Sequence, residues 1–179
     1  MKDEPEQACI SLSSCGSQEP RCCYHIRLDR EGTWFFNDSA VTNENICRYL
    51  FRHIGTNDEG RYALITTTQE VPVEVEDTPF LVCHCSLIGL DGAGVKVTLN
   101  DGTAEVISLG AVWLVGDSQI YCRVKGGRHR ARFNRNSQFA LGCMLDVDPD
   151  ENRFYLEHQG GRTYIGWRPE DPSLLLEER

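Results

Sequence analysis

From Tyr24 onward apolar and polar positions alternate in short runs separated by turn residues, a pattern that predicts strands more often than helices. Tyr24 to Leu28 and Thr33 to Phe36 are two such runs around Asp29-Arg30-Glu31-Gly32, which reads as a hairpin. Asn37-Asp38 begins a second turn. Thr42 or Asn43 can cap a helix on which Ile46, Leu50 and Ile54 recur at helical spacing until Gly55 stops it. A loop over 56–60 follows, then Arg61 to Thr66 and a stretch with Val71, Val73 and Val75 as two more strands.

The same order returns later in the chain. Ile120 to Val124, a turn at Gly126-Gly127 and Arg128 to Phe133 form a second hairpin. Asn136-Ser137 can cap a short helix carrying Phe139, Leu141 and Cys143, and strand-like runs follow around Phe154 and from Tyr164 to Trp167. Residues 58–64 and 150–156 agree or nearly agree at five of seven positions, so the chain reads as two copies of a hairpin-helix-hairpin unit. Between the copies lie Phe80 to Ile88, a hairpin from Val95 to Ile107 around Asn100-Asp101-Gly102, and a strand from Ala111 to Val115.

The expected fold class is α+β, rich in strand, with two domains sharing the duplicated unit and the C-terminal one larger. Residues 1–22 read as a flexible tail, 23–78 as the N-terminal domain, 79–172 as the C-terminal domain and 173–179 as a second tail, with the junction at Thr78-Pro79.

Composition narrows the function. The 179 residues contain no run near the roughly 20 apolar residues that span a bilayer, and the segment from Met1 to Glu6 lacks the basic start and apolar core of a signal peptide. A cytoplasmic protein without membrane contact is expected. Nine cysteines are therefore read as reduced thiols: Cys47, Cys83, Cys85, Cys122 and Cys143 as small buried hydrophobes, and Cys9, Cys15, Cys22 and Cys23 as accessible thiols in the tail. The net charge of -9 argues against strong general nucleic-acid binding. Yet residues 118–145 hold Arg123, Lys125, Arg128, Arg130, Arg132 and Arg135 and no acid, so this segment alone is a candidate anion site.

The stretch Asp29-x-x-Gly32-Thr33-Trp34-Phe35-x-Asn37, followed by Glu59-Gly60-Arg61-Tyr62 and by Val73 to Val82 with its Val-Glu-Asp-x-Pro-Phe string, resembles the bacterial family of domain of unknown function 1285. Tyr121-x-x-Val124-Lys125-Gly126-Gly127 is similar to the same family's Tyr-x-x-Val-Arg-Gly-Gly turn. The resemblance implies two domains with a duplicated core, the C-terminal one like a pleckstrin-homology fold. It further implies a nucleotide-like ligand between the domains, a role in signal transduction and no established enzyme activity.

The ligand-binding candidates are accordingly Arg128, Arg130 and Arg132, alternating along one strand, with Lys125 and Arg123 on its partner, Trp34 as a stacking platform, and Glu74, Glu76 and Asp77 near the junction. The three acids are equally readable as salt-bridge partners across the domains. Neither Cys83-His84-Cys85 nor Cys22-Cys23-x-His25 has zinc-knuckle spacing. The run Asp146-Val147-Asp148-Pro149-Asp150 up to Glu157 imitates a calcium loop but places Glu151 where glycine is required, and it reads as a solvated acidic turn. No cofactor and no catalytic centre is expected. The leading function is a non-enzymatic ligand-binding or sensory protein for an anionic, nucleotide-like molecule. The alternatives are an adaptor docking an acidic protein on its basic strand, and a thiol redox sensor or unrecognised enzyme.

Overall fold

The computed structural model describes residues 24–88, 94–116, 119–158 and 161–168. The first half opens with β1 (Ile26–Leu28), β2 (Trp34–Phe36) and β3 (Ser39–Ala40). Asn37 and Asp38 both adopt positive φ, 45° and 65°, the left-handed pair that matches a two-residue turn to strand twist. Helix α1 (Glu44–His53) is capped by Asn43, whose side chain accepts from the amides of Asn45 and Ile46. It ends at His53, and Gly55 lies inside β4 (Ile54–Thr56) where the pattern placed a helix stop. Gly55 pairs with Ala63, and a Cβ on it would come within 3.0 Å of the Ile65 side chain, so packing of a neighbouring strand explains this glycine.

β5 (Tyr62–Ile65) and β6 (Glu70–Pro72) complete a three-stranded sheet with β4. The valine run then divides. Val73 is buried between sheets, and β7 (Glu74–Val75) crosses to pair in parallel with β1, giving the order β3-β2-β1-β7.

The second half contributes β8 (Phe80–Ile88), β9 (Gly94–Leu99), β10 (Ala104–Ser108), β11 (Val112–Val115), β12 (Gln119–Val124) and β13 (His129–Phe133). Helix α2 (Arg135–Gly142) follows, then β14 (Asp146–Asp148), β15 (Arg153–His158), β16 (Gly161–Tyr164) and β17 (Gly166–Arg168). Seven strands form one sheet in the order β10-β9-β8-β13-β12-β11-β17, with β8/β13 and β11/β17 parallel, while β14-β15-β16 form a separate antiparallel sheet. The cap of α2 is Asn134, not Asn136 or Ser137. Asn134 accepts from the Ser137 amide, and the Ser137 hydroxyl, fully buried, instead donates to the Val82 carbonyl and fastens the helix to β8. The protein is thus a strand-rich α+β fold, and none of its described helices is long and apolar enough to cross a membrane.

One apolar cluster joins the halves. Leu28, Trp34, Phe51, Ile54 and Leu64 from the first half are continuous with Phe80, Val82, Leu99, Phe133 and Leu141 from the second. Phe80 is the bridge: its ring centroid lies 6.1 Å from that of Phe51 and 5.3 Å from that of His129. Burying a side chain of this kind contributes about 2 to 3 kcal/mol. The halves also touch at the β1–β2 turn, where Gly32 takes φ 83° and a Cβ would meet Asn100 at 3.0 Å and Leu81 at 3.1 Å. Only glycine satisfies both the conformation and the close approach.

Candidate functional site

Alternation along β13 turns Ala131 and Phe133 into the core and leaves Arg130 and Arg132 on the opposite face. The register with β12 sets Arg123 opposite Arg130 and Tyr121 opposite Arg132. Arg128 lies in the preceding turn, so the expected stripe of three strand arginines consists of two.

Onto this face comes Asp77, carried by the link between β7 and β8. Its Oδ2 lies 3.0 Å from Arg132 Nε, an ion pair lacking hydrogen-bond alignment, and its Oδ1 lies 3.4 Å from the Arg130 guanidinium. The Tyr121 hydroxyl donates to the same carboxylate at 3.2 Å, and Arg130 stacks 5.0 Å from the Tyr121 ring centroid. Arg132 also donates to the Arg30 carbonyl of the first half. Thr78, next in sequence, sets its hydroxyl 2.9 Å from the carbonyls of Phe80 and Arg130. Burial pushes the Tyr62 phenol up, with Arg130 opposing and Asp77 adding; burial and then Asp77 do the same to Tyr121. Both phenols therefore stay protonated at neutral pH, and Tyr121 remains a donor.

This arrangement corrects the charge argument made from sequence. A segment without acids is not a segment without counter-ions. Asp77 answers Arg130 and Arg132, and Lys125 meets Asp101 at 2.7 Å while its amide donates to Glu105. Arg123 and Arg128 reach only the carbonyls of Gly127 and Lys125, and Arg135 has no partner among the described residues.

The junction acids divide in role. Asp77 bridges the halves, whereas Glu74 and Glu76 pair within the first half, with His25 at 2.7 Å and Arg27 at 2.5 Å. Trp34 is 1% exposed and packs edge-on against Phe51 at 5.3 Å, so its indole is a core element with no open face for a ligand. Tyr62 and Arg30 belong to the junction but were missed, because their neighbours there, Asp77, Arg130 and Arg132, lie far from both in sequence.

Of the five cysteines read as buried, Cys122 is buried, Cys47, Cys83 and Cys85 are half-buried, and Cys143, at the exposed end of α2, faces solvent. Burial pushes the thiols of Cys83, Cys85 and Cys122 up, which disfavours thiolate formation. Cys9, Cys15, Cys22 and Cys23 lie outside the described residues. Asp148, at the centre of the calcium-like run, is not solvated. It accepts from the amides of Asp150 and Glu151, from Arg162 at 3.1 Å and from the Tyr164 hydroxyl at 2.7 Å, all in the service of the turn.

Fold and junction together define a strand-rich α+β protein whose two packed halves meet at a half-buried aspartate clasped by two arginines and a tyrosine. Residues 18–78 match the family described as Domain of unknown function (DUF1285), N-terminal domain, and the chain is similar to that family over this region. A crystal structure of a DUF1285 family protein from Silicibacter pomeroyi DSS-3 is similar at 21% identity, with a TM-score of 0.63 over 79% of this chain and 78% of that one. A second, from Shewanella baltica OS155, is similar at 17% identity and a TM-score of 0.57, covering 67% of this chain and 91% of that one. No curated protein matches the chain.

Proposed function

We propose that the protein is a non-enzymatic, cytoplasmic binding protein that takes an anionic, nucleotide-like ligand on the arginine-bearing face between its halves, as part of a sensory or signalling role. The observation that carries this reading is the residue of uncompensated charge at that face. Arg123 stands across from Arg130, and Arg128 stands at the hairpin tip beside them, neither with a carboxylate partner among the described residues. Like charges set side by side cost stability, and phosphate oxygens relieve that cost. Each such contact contributes about 1.5 to 3 kcal/mol.

The test is a thermal-shift series at low salt with nucleotides, polyphosphate and sulfate. Wild type gains stability with at least one phosphate ligand, and the double variant Arg123→Gln, Arg128→Gln loses the gain while keeping its unliganded melting temperature. A wild type indifferent to the whole panel overturns the reading and favours an acidic protein partner.

The same proposal takes 23–78 and 79–172 as domains that grew from a duplicated unit, the second of pleckstrin-homology type. In its support, β1, β2, β3, α1, β4, β5, β6 and β7 run in the order of β11, β12, β13, α2, β14, β15, β16 and β17, and in each series the last strand pairs in parallel with the first. A superposition of residues 24–77 on 120–168 that fails to overlay the helices and three-stranded sheets would remove the duplication.

A further inference from the structure

Helix α2 turns two faces to two environments. Ser137 and Leu141 are buried against β8 and the core, while Arg135, Gln138, Phe139 and Gly142, at spacings of three and four, line a groove of about 520 Å³. The far wall is apolar: Leu114 and Ile120 from β11 and β12, Phe133 from β13, then Leu145, Phe154 and Ile165. The volume lies within the range of about 300 to 1,000 Å³ found for small-molecule sites. Phe139 is 74% exposed and Phe154 is also exposed, so apolar surface at the rim stays open to water.

The polar groups of the groove are mostly committed. Gln119 donates its amide to the Phe133 carbonyl and to the Gln138 side chain, both at 3.1 Å, and Gln138 accepts from the Ile120 amide. Arg132 is held by Asp77 and the Arg30 carbonyl. Arg135 is the charge left over, without a partner among the described residues. It is the first residue of α2, a helix with no acid in its first turn, where a cation opposes the helix dipole and an anion is favoured.

From this pairing of one free guanidinium with an apolar trough we infer a second binding site, for an amphiphilic carboxylate: the head group bidentate on Arg135, the alkyl chain lying along α2 against Leu114, Ile120 and Phe154. A bounded trough of this size takes a free, monomeric fatty acid and not the surface of a bilayer. Gly142 marks the chain's path, since a Cβ there would meet nothing within 4 Å. The site adjoins the junction face at Arg132 but uses neither Arg123 nor Arg128, so it does not depend on the phosphate reading.

The experiment measures dodecanoate binding to the full chain by calorimetry, well below the micelle concentration, with dodecanol as the uncharged control. Dodecanoate binds to one site. Arg135→Gln weakens it at least tenfold and brings it to the level of dodecanol, whose own binding is unchanged by the substitution. Gly142→Leu starts from a Cβ with open space around it, projects into the trough and abolishes binding of both, with the melting temperature kept. Arg123→Gln with Arg128→Gln leaves dodecanoate binding intact, which separates this site from the phosphate face. Unaltered dodecanoate affinity in Gly142→Leu or in Arg135→Gln overturns the inference. So does a wild type that sediments with phosphatidylglycerol vesicles while ignoring the monomeric acid.

Discussion

Both halves follow their helix with a three-stranded sheet, yet the first hairpin turn of each sheet is braced by different chemistry. In the first, neutral Asn57 accepts from the amides of Glu59 and Arg61 and donates to Glu70. In the second, Asp148 gathers two amides, a guanidinium and a phenol. The helices differ in the same sense. α1 begins with Glu44 and ends with Arg52 and His53, complementing its dipole, whereas α2 begins with Arg135 and has no acid in its first turn. The first half is rich in acids, and Arg27, Arg48 and Arg61 meet carboxylates of its own; the second borrows Asp77 from the junction and still leaves Arg123, Arg128 and Arg135 without a carboxylate partner among the described residues. Binding chemistry is therefore to be sought where local electrostatics are incomplete.

The sharpest way to break that comparison is to cut the core that joins the halves. Phe80→Ala is expected to cost about 3 to 5 kcal/mol, and both halves should still unfold in one urea transition followed by tryptophan fluorescence and by circular dichroism. Two separated transitions in the wild type would mean that the halves are energetically independent.

A smaller effect is expected at the clasp. Asp77 is 10% exposed and Arg130 is 24% exposed at their side chains, so Asp77→Asn should cost about 2 kcal/mol, less than the loss of a fully buried partner, with Arg132 left the worse placed. A variant as stable as the wild type would show that solvent already satisfies the arginines.

The caps come next. Asn43→Ala and Asn134→Ala should each cost about 1 kcal/mol in denaturant titrations, and the second should cost more, because α2 has no first-turn acid to compensate. An equal loss would erase the difference drawn between the helices.

The smallest effect distinguishes the turns by pH. The hydrogen bond from Tyr164, outweighing burial and joined by the amides of Asp150 and Glu151, holds the Asp148 carboxyl below its ordinary value of 3.8. Its contribution to stability is present above that value and is lost as pH falls through the lower folded-state value. Asp148→Asn should therefore flatten the acid limb of stability below pH 3.8, while Asn57→Ala leaves its shape unchanged. An unchanged acid limb in Asp148→Asn would remove the charge from the account of that turn.

What was legible in the sequence was local. The alternation from Tyr24 to Phe36, the left-handed pair Asn37-Asp38 and the cap of α1 depend on neighbours within a few residues, and each stands where the pattern put it. The cap of α2 did not, because Asn134, Asn136 and Ser137 are chemically equivalent until Val82 claims the Ser137 hydroxyl from 55 residues away. Asp77 was visible as a junction acid, but a pairing across 53 residues of sequence cannot be read from composition, so Arg130 and Arg132 looked free. Trp34 shows a limit of another kind: alternation says that successive side chains take opposite faces, not which face is covered.

The segment Asp77-Thr78-Pro79-Phe80 puts the counter-ion and the core wedge on one tether four residues long. Proline stiffens its middle, and the Thr78 hydroxyl lies within hydrogen-bond distance of the Phe80 and Arg130 carbonyls. An anion that won the arginines from Asp77 would free a carboxylate while the Phe80 ring kept its packing against Phe51 and His129. If the proposed anion binds there, its first effect would be a rearranged pattern of surface charge at the junction rather than a change of angle.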